Sequence, residues 1–600
     1  MTVFRVSAIS LFIGLLAPLA WAQTPAPSGD TPPVLTDRDM PPVADAPDDP
    51  APAQPQAAPI AATPPPIDKA VVVDSLGASE GPALGLLDST NGGLGEGIWS
   101  GTSRSDAEEL LTHIPLASAD PVLRSLAKRL VLTKADAPIG PSKRAFTTLR
   151  IEKLLDAGLI DEAGTLAAQA SIPNDANFAR VQADALLIAN RASDVCSDRT
   201  ATRLTAPEPF WLQLRAYCAA AAGDTATADL TRAVLEAQGN GDKTYDALID
   251  DVLNHKAIPP GHIAHPTAMH IFLLRQAGLP ISGDVAAAMG TPANLLAMRD
   301  IRNAPQIRIE AADRIIRTGA ATVAELKALA EAGDIPTDRL ATALSDAPKM
   351  PFFVGQVLLR RAAQLETRPE AKAQLVFAAL LLGEKAKLLP LAAGLQSDIA
   401  ASIKPLPAKH DMAPLFARAL LLAGVPDTAE RWLSDRDAMQ GAIDLIAPNP
   451  ARDVRAQAIV AAYVAGLTAN PPAPDADGAY KALLLGLADV LGKPLPPDAK
   501  AQVPAIEAQR WSGKRPQTMQ RIEAASAKPE RRGEALLLIL RAVQSSGLRD
   551  MAPDVTIELV RQLREMDLPN AAHGLSDEAL ALYVPPPLPP PPAPAPAPAP

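Results

Sequence analysis

Cys196 and Cys218 are the two cysteines of the 600-residue chain, and no C-x-x-C occurs. An even pair in an exported protein points to a disulfide. A bridge across 22 residues would staple one helix hairpin to the next and stabilise the fold by about 3 kcal/mol. Buried free thiols, or redox or metal chemistry, are the alternatives. Four of the seven histidines cluster at His255, His262, His265 and His270, a composition that could ligate zinc. Pro259-Pro260-Gly261 interrupts them and Pro266 starts a new helix. No single helical face then presents all four, so a loop is expected and no metal is assigned. Gly77-Ala78-Ser79-Glu80-Gly81 matches the G-x-S-x-G nucleophile turn. That turn needs a strand before it, a helix after it and a surrounding α/β sheet. Val71–Leu76 is strand-like, but almost no strand periodicity follows. No catalytic residue is assigned, no enzyme is expected, and no cofactor is implied.

Two further groups belong to binding rather than reaction. Asn91-Gly92-Gly93-Leu94-Gly95-Glu96-Gly97 is glycine-rich but lacks the G-x-G-x-x-G spacing and a following βαβ unit. It reads as an irregular cap anchored by Trp99. Arg510, Lys514, Arg515, Arg521, Lys528, Arg531 and Arg532, against Glu523 and Glu530, form a basic stretch in an otherwise acidic chain. Such a patch could dock peptidoglycan, another anionic polymer or an acidic partner.

The elements that would position these residues are helices. Ala and Leu dominate, and both favour helix. From Arg150 to Gln238 the stops Asp156-Ala157-Gly158, Ile188-Ala189-Asn190 and Ala221-Ala222-Gly223 fall 32 and 33 residues apart. That period, one helix hairpin per unit, marks a stacked array. One helix should bury Trp211, Leu214, Cys218, Ala221 and Ala222, and its partner Ala226, Leu230, Ala233, Val234 and Ala237. The same stop recurs at Gly278, Gly333, Gly383, Gly424 and Gly547, where glycine would take the left-handed C′ position. Spacings of 55, 55, 50 and 41 residues after Gly223 make the array a degenerate, TPR-like α-solenoid. Ser105 with Glu108 resembles a capping box, and Asp120-Pro121 a helix start.

Around the array lie segments of other kinds. Residues 1–22 read as a signal peptide: Arg5, an apolar run from Ile9 to Ala20, and Ala20-Trp21-Ala22, with cleavage between Ala22 and Gln23. No cysteine follows, so no lipoprotein anchor is expected. No other stretch is long and apolar enough to span a membrane stably after cleavage. Residues 23–66 form a Pro/Ala/Asp-rich linker expected to be disordered. Residues 67–104 are the Gly-rich cap, 105–583 the helical repeat domain, and 584–600 a polyproline tail about 50 Å long if fully extended. A net charge of −11 and only 3% aromatic residues speak against nucleic acid, which recruits cations and stacking rings.

Two blocks carry a likeness. Val73-Asp74-Ser75-Leu76-Gly77, Gly85-Leu86-Leu87-Asp88-x-x-Asn91-Gly92-Gly93-Leu94 and Trp99-x-Gly101-Thr102-x-Arg104 form the first. Phe210-Trp211-Leu212-x-Leu214-Arg215-x-Tyr217-Cys218, then Ala222-Gly223-Asp224, form the second. Together, over roughly Val71 to Leu344, the chain resembles secreted alphaproteobacterial helical-repeat proteins of uncharacterised function, loosely labelled antifreeze-related. The resemblance implies a periplasmic helical protein and transfers no site residue. No Thr-x-x-Thr ice-matching array accompanies it. The expectation is a periplasmic, non-catalytic scaffold or adaptor for cell-envelope proteins. The alternative is a wall-associated enzyme or polymer-binding module, with a helical support like that of lytic transglycosylases, using the patch near residues 510–532.

Overall fold

Leu and Ala at helical spacing need a second apolar face to rest on, and in this chain each helix finds it on the next. The computed structural model describes residues 80–583, apart from 115, 119, 174, 198–206, 255–260, 334, 407–410, 434–476, 494, 496 and 502–515. The expected signal cleavage at Ala22/Gln23, the linker, Ser79 and the polyproline tail lie outside the described residues. Among the described residues the protein is all-α, with no β-strand beyond isolated bridges.

Helices of nine residues or more are labelled in chain order. The first are α1 (Arg104–His113), α2 (Pro121–Leu132), α3 (Phe146–Asp156), α4 (Ile160–Gln169) and α5 (Ala176–Ile188). Next come α6 (Pro209–Ala221), α7 (Thr225–Ala237), α8 (Lys243–Asn254) and α9 (Ala268–Gln276). The middle holds α10 (Gly290–Arg299), α11 (Pro305–Ile315), α12 (Val323–Ala332), α13 (Phe352–Leu365), α14 (Pro369–Lys385), α15 (Leu389–Ser402) and α16 (Ala413–Leu422). The last are α17 (Asp477–Val490), α18 (Gln517–Ser526), α19 (Arg532–Ser546), α20 (Pro553–Glu565) and α21 (Pro569–Leu582). Consecutive helices pack as hairpins: α3 on α4, α4 on α5, α6 on α7, α10 on α11, α13 on α14, α14 on α15, and α20 on α21. This is the nearest-neighbour packing of a helical array.

The turns share one hydrogen-bond motif. The N–H of Leu159 reaches back five residues to the carbonyl of Leu154, Arg191 to Leu186, Asp224 to Ala219, Leu279 to Leu274 and Val425 to Leu420. The residue between has positive φ: Gly158 +74°, Asn190 +60°, Gly223 +81°, Gly278 +71° and Gly424 +74°. This is the Schellman stop, and Asn substitutes for Gly because it tolerates the left-handed region.

Two expected stops differ. Gly383 lies inside α14, which runs on to Lys385; the left-handed residue is Lys387, φ +57°, and Leu388 N–H closes onto the Gly383 carbonyl. Gly383 lacks a side chain because α15 crosses there, its Ala392 Cβ where a Gly383 Cβ would stand. Gly333 caps α12 in extended conformation, φ −74°. The expected Ser105/Glu108 box is also displaced. Ser103 is the N-cap of α1, its Oγ accepting from Asp106 N–H at 3.2 Å. Glu108 instead takes Arg104 Nε at 2.6 Å and Ser142 Oγ at 2.7 Å. Asp120 caps α2 as expected, accepting from Leu123 N–H at 2.9 Å.

The array also joins its two ends. Helix α19 packs on α1 and α2, and α21 packs on α2 and α16. Gly101 N–H donates to Glu530 O at 2.9 Å and Gly533 N–H to Ile98 O at 3.1 Å. Trp99 lies on the bare Cα of Gly533 and makes an edge contact with Phe146, ring centroids 5.4 Å apart. The irregular segment thus ties the first helices to the last ones.

Candidate functional site

The cysteines are joined. Cys196 follows the short turn Ala192–Val195, Cys218 lies on α6, and their sulfurs are bonded with Cα atoms 5.5 Å apart. The bridge fastens the end of the α3–α5 group to the α6–α7 hairpin.

The histidines do not converge. His270 is buried at the start of α9, where it and Thr267 cap each other's backbone, with Nε2 3.1 Å from Asp242. Burial lowers its pKa despite the nearby Asp242 carboxylate. His262 is exposed and pairs with Asp284 at 2.9 Å, and His255 lies outside the described residues. Among the described residues no cluster of three or more His, Cys, Asp or Glu could hold a metal ion.

Glu80, the one central residue of the G-x-S-x-G match that is described, has a structural role. Its carboxylate accepts from Thr147 N–H at 2.9 Å and from Phe146 N–H, and meets Arg104 at 2.7 Å. It thereby caps α3, whose own N-cap is Ala145 with no side-chain bond. The glycine-rich loop turns on Asp88, which takes the Thr90 N–H at 2.8 Å, and Gly92 O accepts from Arg129 at 2.7 Å. It lies on the end of α2.

Of the basic stretch, Arg510, Lys514 and Arg515 lie outside the described residues. Arg521 spans Glu534 at 2.7 Å and Asp106 at 3.0 Å, and Arg531 meets Glu534 at 2.9 Å. Lys528 is exposed and Arg532 half-buried at the start of α19. Two of the four described cations are therefore engaged by buried Glu534 at the joint between first and last helices.

Helix α7 turns the opposite way from expectation. It buries Ala228, Thr231 and Leu235, while Ala226, Leu230, Ala233, Val234 and Ala237 are all exposed, Leu230 by 67% and Val234 by 37%. Ala221 and Ala222 on α6 are exposed too, whereas Trp211 and Leu214 are buried. Arg232, beside the buried Thr231, reaches Asp246 and Asp250 of α8, each at 2.9 Å, in this orientation. The result is an apolar stripe at i, i+4, i+7, i+8 and i+11 with nothing described on it.

A concave feature also escaped sequence reasoning. A cavity of about 270 Å³ opens where the loop before α2, the α14–α15 turn and the segment after α19 meet. Its cations are Arg317, Lys387, Arg418 and Arg549, and its carboxylates Asp120, Glu384 and Asp550. Arg418 is buried, donating to Glu384 at 2.9 Å and to the Ala581 and Leu582 carbonyls at 2.7 and 3.2 Å. Lys387 pairs with Asp550 at 2.8 Å. Arg317, Lys387 and Arg549 each follow the end of a helix, a position ordinarily explained by the helix dipole, whereas Arg418 lies within α16. No local pattern joins residues so far apart in sequence.

Comparison of the chain with protein-family models, curated proteins and solved structures finds no match. Among the described residues no helix is long and apolar enough to cross a membrane.

Proposed function

We propose that this chain is an exported, non-catalytic helical-repeat protein that acts as a scaffold or adaptor for proteins of the cell envelope. The observation that carries this reading is the exposed stripe on α7. Apolar residues at i, i+4, i+7 and i+8 on an exposed helix are the surface on which a second amphipathic helix packs. Exposed apolar groups gathered on one face mark interaction sites, whereas scattered ones do not. The Cys196–Cys218 bond supports export, because such bonds persist in oxidising compartments. The signal-like Met1–Ala22 segment and the resemblance to secreted alphaproteobacterial proteins point the same way. Wall-polymer binding through the basic stretch is the weaker reading, since Glu534 already occupies Arg521 and Arg531.

The test is in-cell crosslinking in the periplasm followed by mass spectrometry, with wild type beside the Leu230→Glu/Val234→Glu double variant. Both side chains are exposed, so the variant should fold normally. A partner recovered with wild type and lost with the variant supports the proposal. An identical set of crosslinks from both proteins, or no partner from either, would sink it.

A further inference from the structure

We infer that the cavity where the loop before α2, the α14–α15 turn and the segment after α19 meet is a receptor for a carboxylate carried on a short apolar body. The inference does not rest on the α7 stripe or on the scaffold reading.

Charge comes first. Four cations line the cavity against three carboxylates, a surplus of a single positive charge. That surplus suits a monoanion and disfavours a phosphate dianion, which the three acids would repel. The cations are not equally occupied. Arg418 is held by Glu384 and two carbonyls, and Lys387 by Asp550. Asp120 spends one oxygen on the cap of α2. Among the described residues Arg317 has a single hydrogen bond, to the Ala386 carbonyl at 3.2 Å. Arg549 has a 3.8 Å approach to Glu384, whose oxygen Arg418 already uses. A guanidinium carries five N–H donors in a planar fork matched to a carboxylate. Arg317 and Arg549 therefore bring unused donors to one cavity.

The remaining wall is apolar. Leu123, Leu388, Leu389, Val543, Leu548 and Leu582 contribute to it. The N-terminus of α15, at Leu389, has no side-chain cap and adds its dipole to the attraction for an anion. The volume lies just under the range of drug-sized sites, enough for a carboxylate and one or two small aliphatic groups. Two sources share this chemistry: the C-terminal residues of a peptide, and a free medium-chain carboxylic acid.

Calorimetric titration of the full mature chain distinguishes them. The probes are N-acetyl-Ala-Leu, its C-terminal amide and octanoate. Either carboxylate should bind, with the amide at least about 10-fold weaker. Binding of the dipeptide but not octanoate identifies a peptide terminus, and the reverse a free acid. Arg317→Gln/Arg549→Gln should weaken the bound carboxylate about 10-fold or more, with thermal unfolding and far-UV circular dichroism unchanged. Leu230→Glu/Val234→Glu should leave the titration unaltered. The proposal is overturned if neither carboxylate binds at millimolar concentration, if amide and acid bind alike, or if the double glutamine variant binds as wild type does.

Discussion

Arg150 lies under three backbone carbonyls, those of Val131, Leu84 and Thr133, at 2.8, 2.8 and 2.9 Å. Burial lowers its pKa to about 10, so it is still charged at neutral pH. It holds the irregular segment and the end of α2 onto α3. Arg150→Met should cost about 3 kcal/mol or more, because three buried acceptors lose their donor together. Arg150→Lys should recover only part, since an ammonium is a compact point donor without the planar fork. Urea unfolding with the disulfide intact measures both. Asp577 makes the opposite kind of prediction. Burial pushes its carboxyl up to about 7, against the pull of Lys493. Glu578 beside it is raised as well, by burial and then by Asp120. The folded state therefore holds protons that the unfolded chain releases near pH 4. The associated stability is complete below about pH 4 and is lost as pH rises towards 7, by roughly 4 kcal/mol at most for Asp577. Asp577→Asn should be more stable than wild type at pH 8 and similar at pH 4. Parallel stability curves for the two proteins would refute the assignment.

At the scale of the element, the hairpin stops were legible because glycine after an Ala/Leu run has one good use, a left-handed C′ residue. Gly383 and Gly333 show where that reasoning fails. Gly383 is small because α15 crosses it, a long-range demand that leaves no local trace. Gly383→Ala should cost about 1–3 kcal/mol by overpacking Ala392. Gly333→Ala should change stability by less than about 0.5 kcal/mol, because φ is −74° and the nearest heavy atom, Ile309 Cδ1, lies 3.5 Å from the added carbon. The face of α7 was misread for a related reason. Alanine appears on both sides of that helix, so periodicity cannot choose between them; the face that packs is the one carrying Ala228, Thr231 and Leu235, and Arg232 pairs with α8 in that orientation. The cavity was illegible for want of any local signal. The disulfide was legible because two cysteines admit a single pairing. Cys196→Ser/Cys218→Ser should lower stability by about 3 kcal/mol, and thiol labelling of the unreduced wild type should find no reactive cysteine.

At the scale of the whole chain, the contacts between first and last helices separate this protein from an open repeat. In an open array, removing the terminal helix disturbs its neighbour and little beyond, since stability is a sum of nearest-neighbour terms. Here α21 touches α20, but also α2, α16 and α17. Val122 fills the space left by Gly574, and the Ala581 and Leu582 carbonyls satisfy buried Arg418. A chain ending at Leu568 would strip α2 of that cover and leave the Arg418 guanidinium short of two acceptors. Hydrogen exchange read by mass spectrometry should then show lost protection in four places: α20, the neighbour in sequence, and α2, α16 and α17, the neighbours in space. Helices α6–α9, which are not among the described helices packed on α21, serve as the internal control and should exchange as before. Loss confined to α17 and α20 would mean that the two ends contribute no stability to each other. Loss in α2 and α16 together, with α6–α9 unchanged, would show that the contacts of α21 with α2 and α16 stabilise helices far from it in sequence.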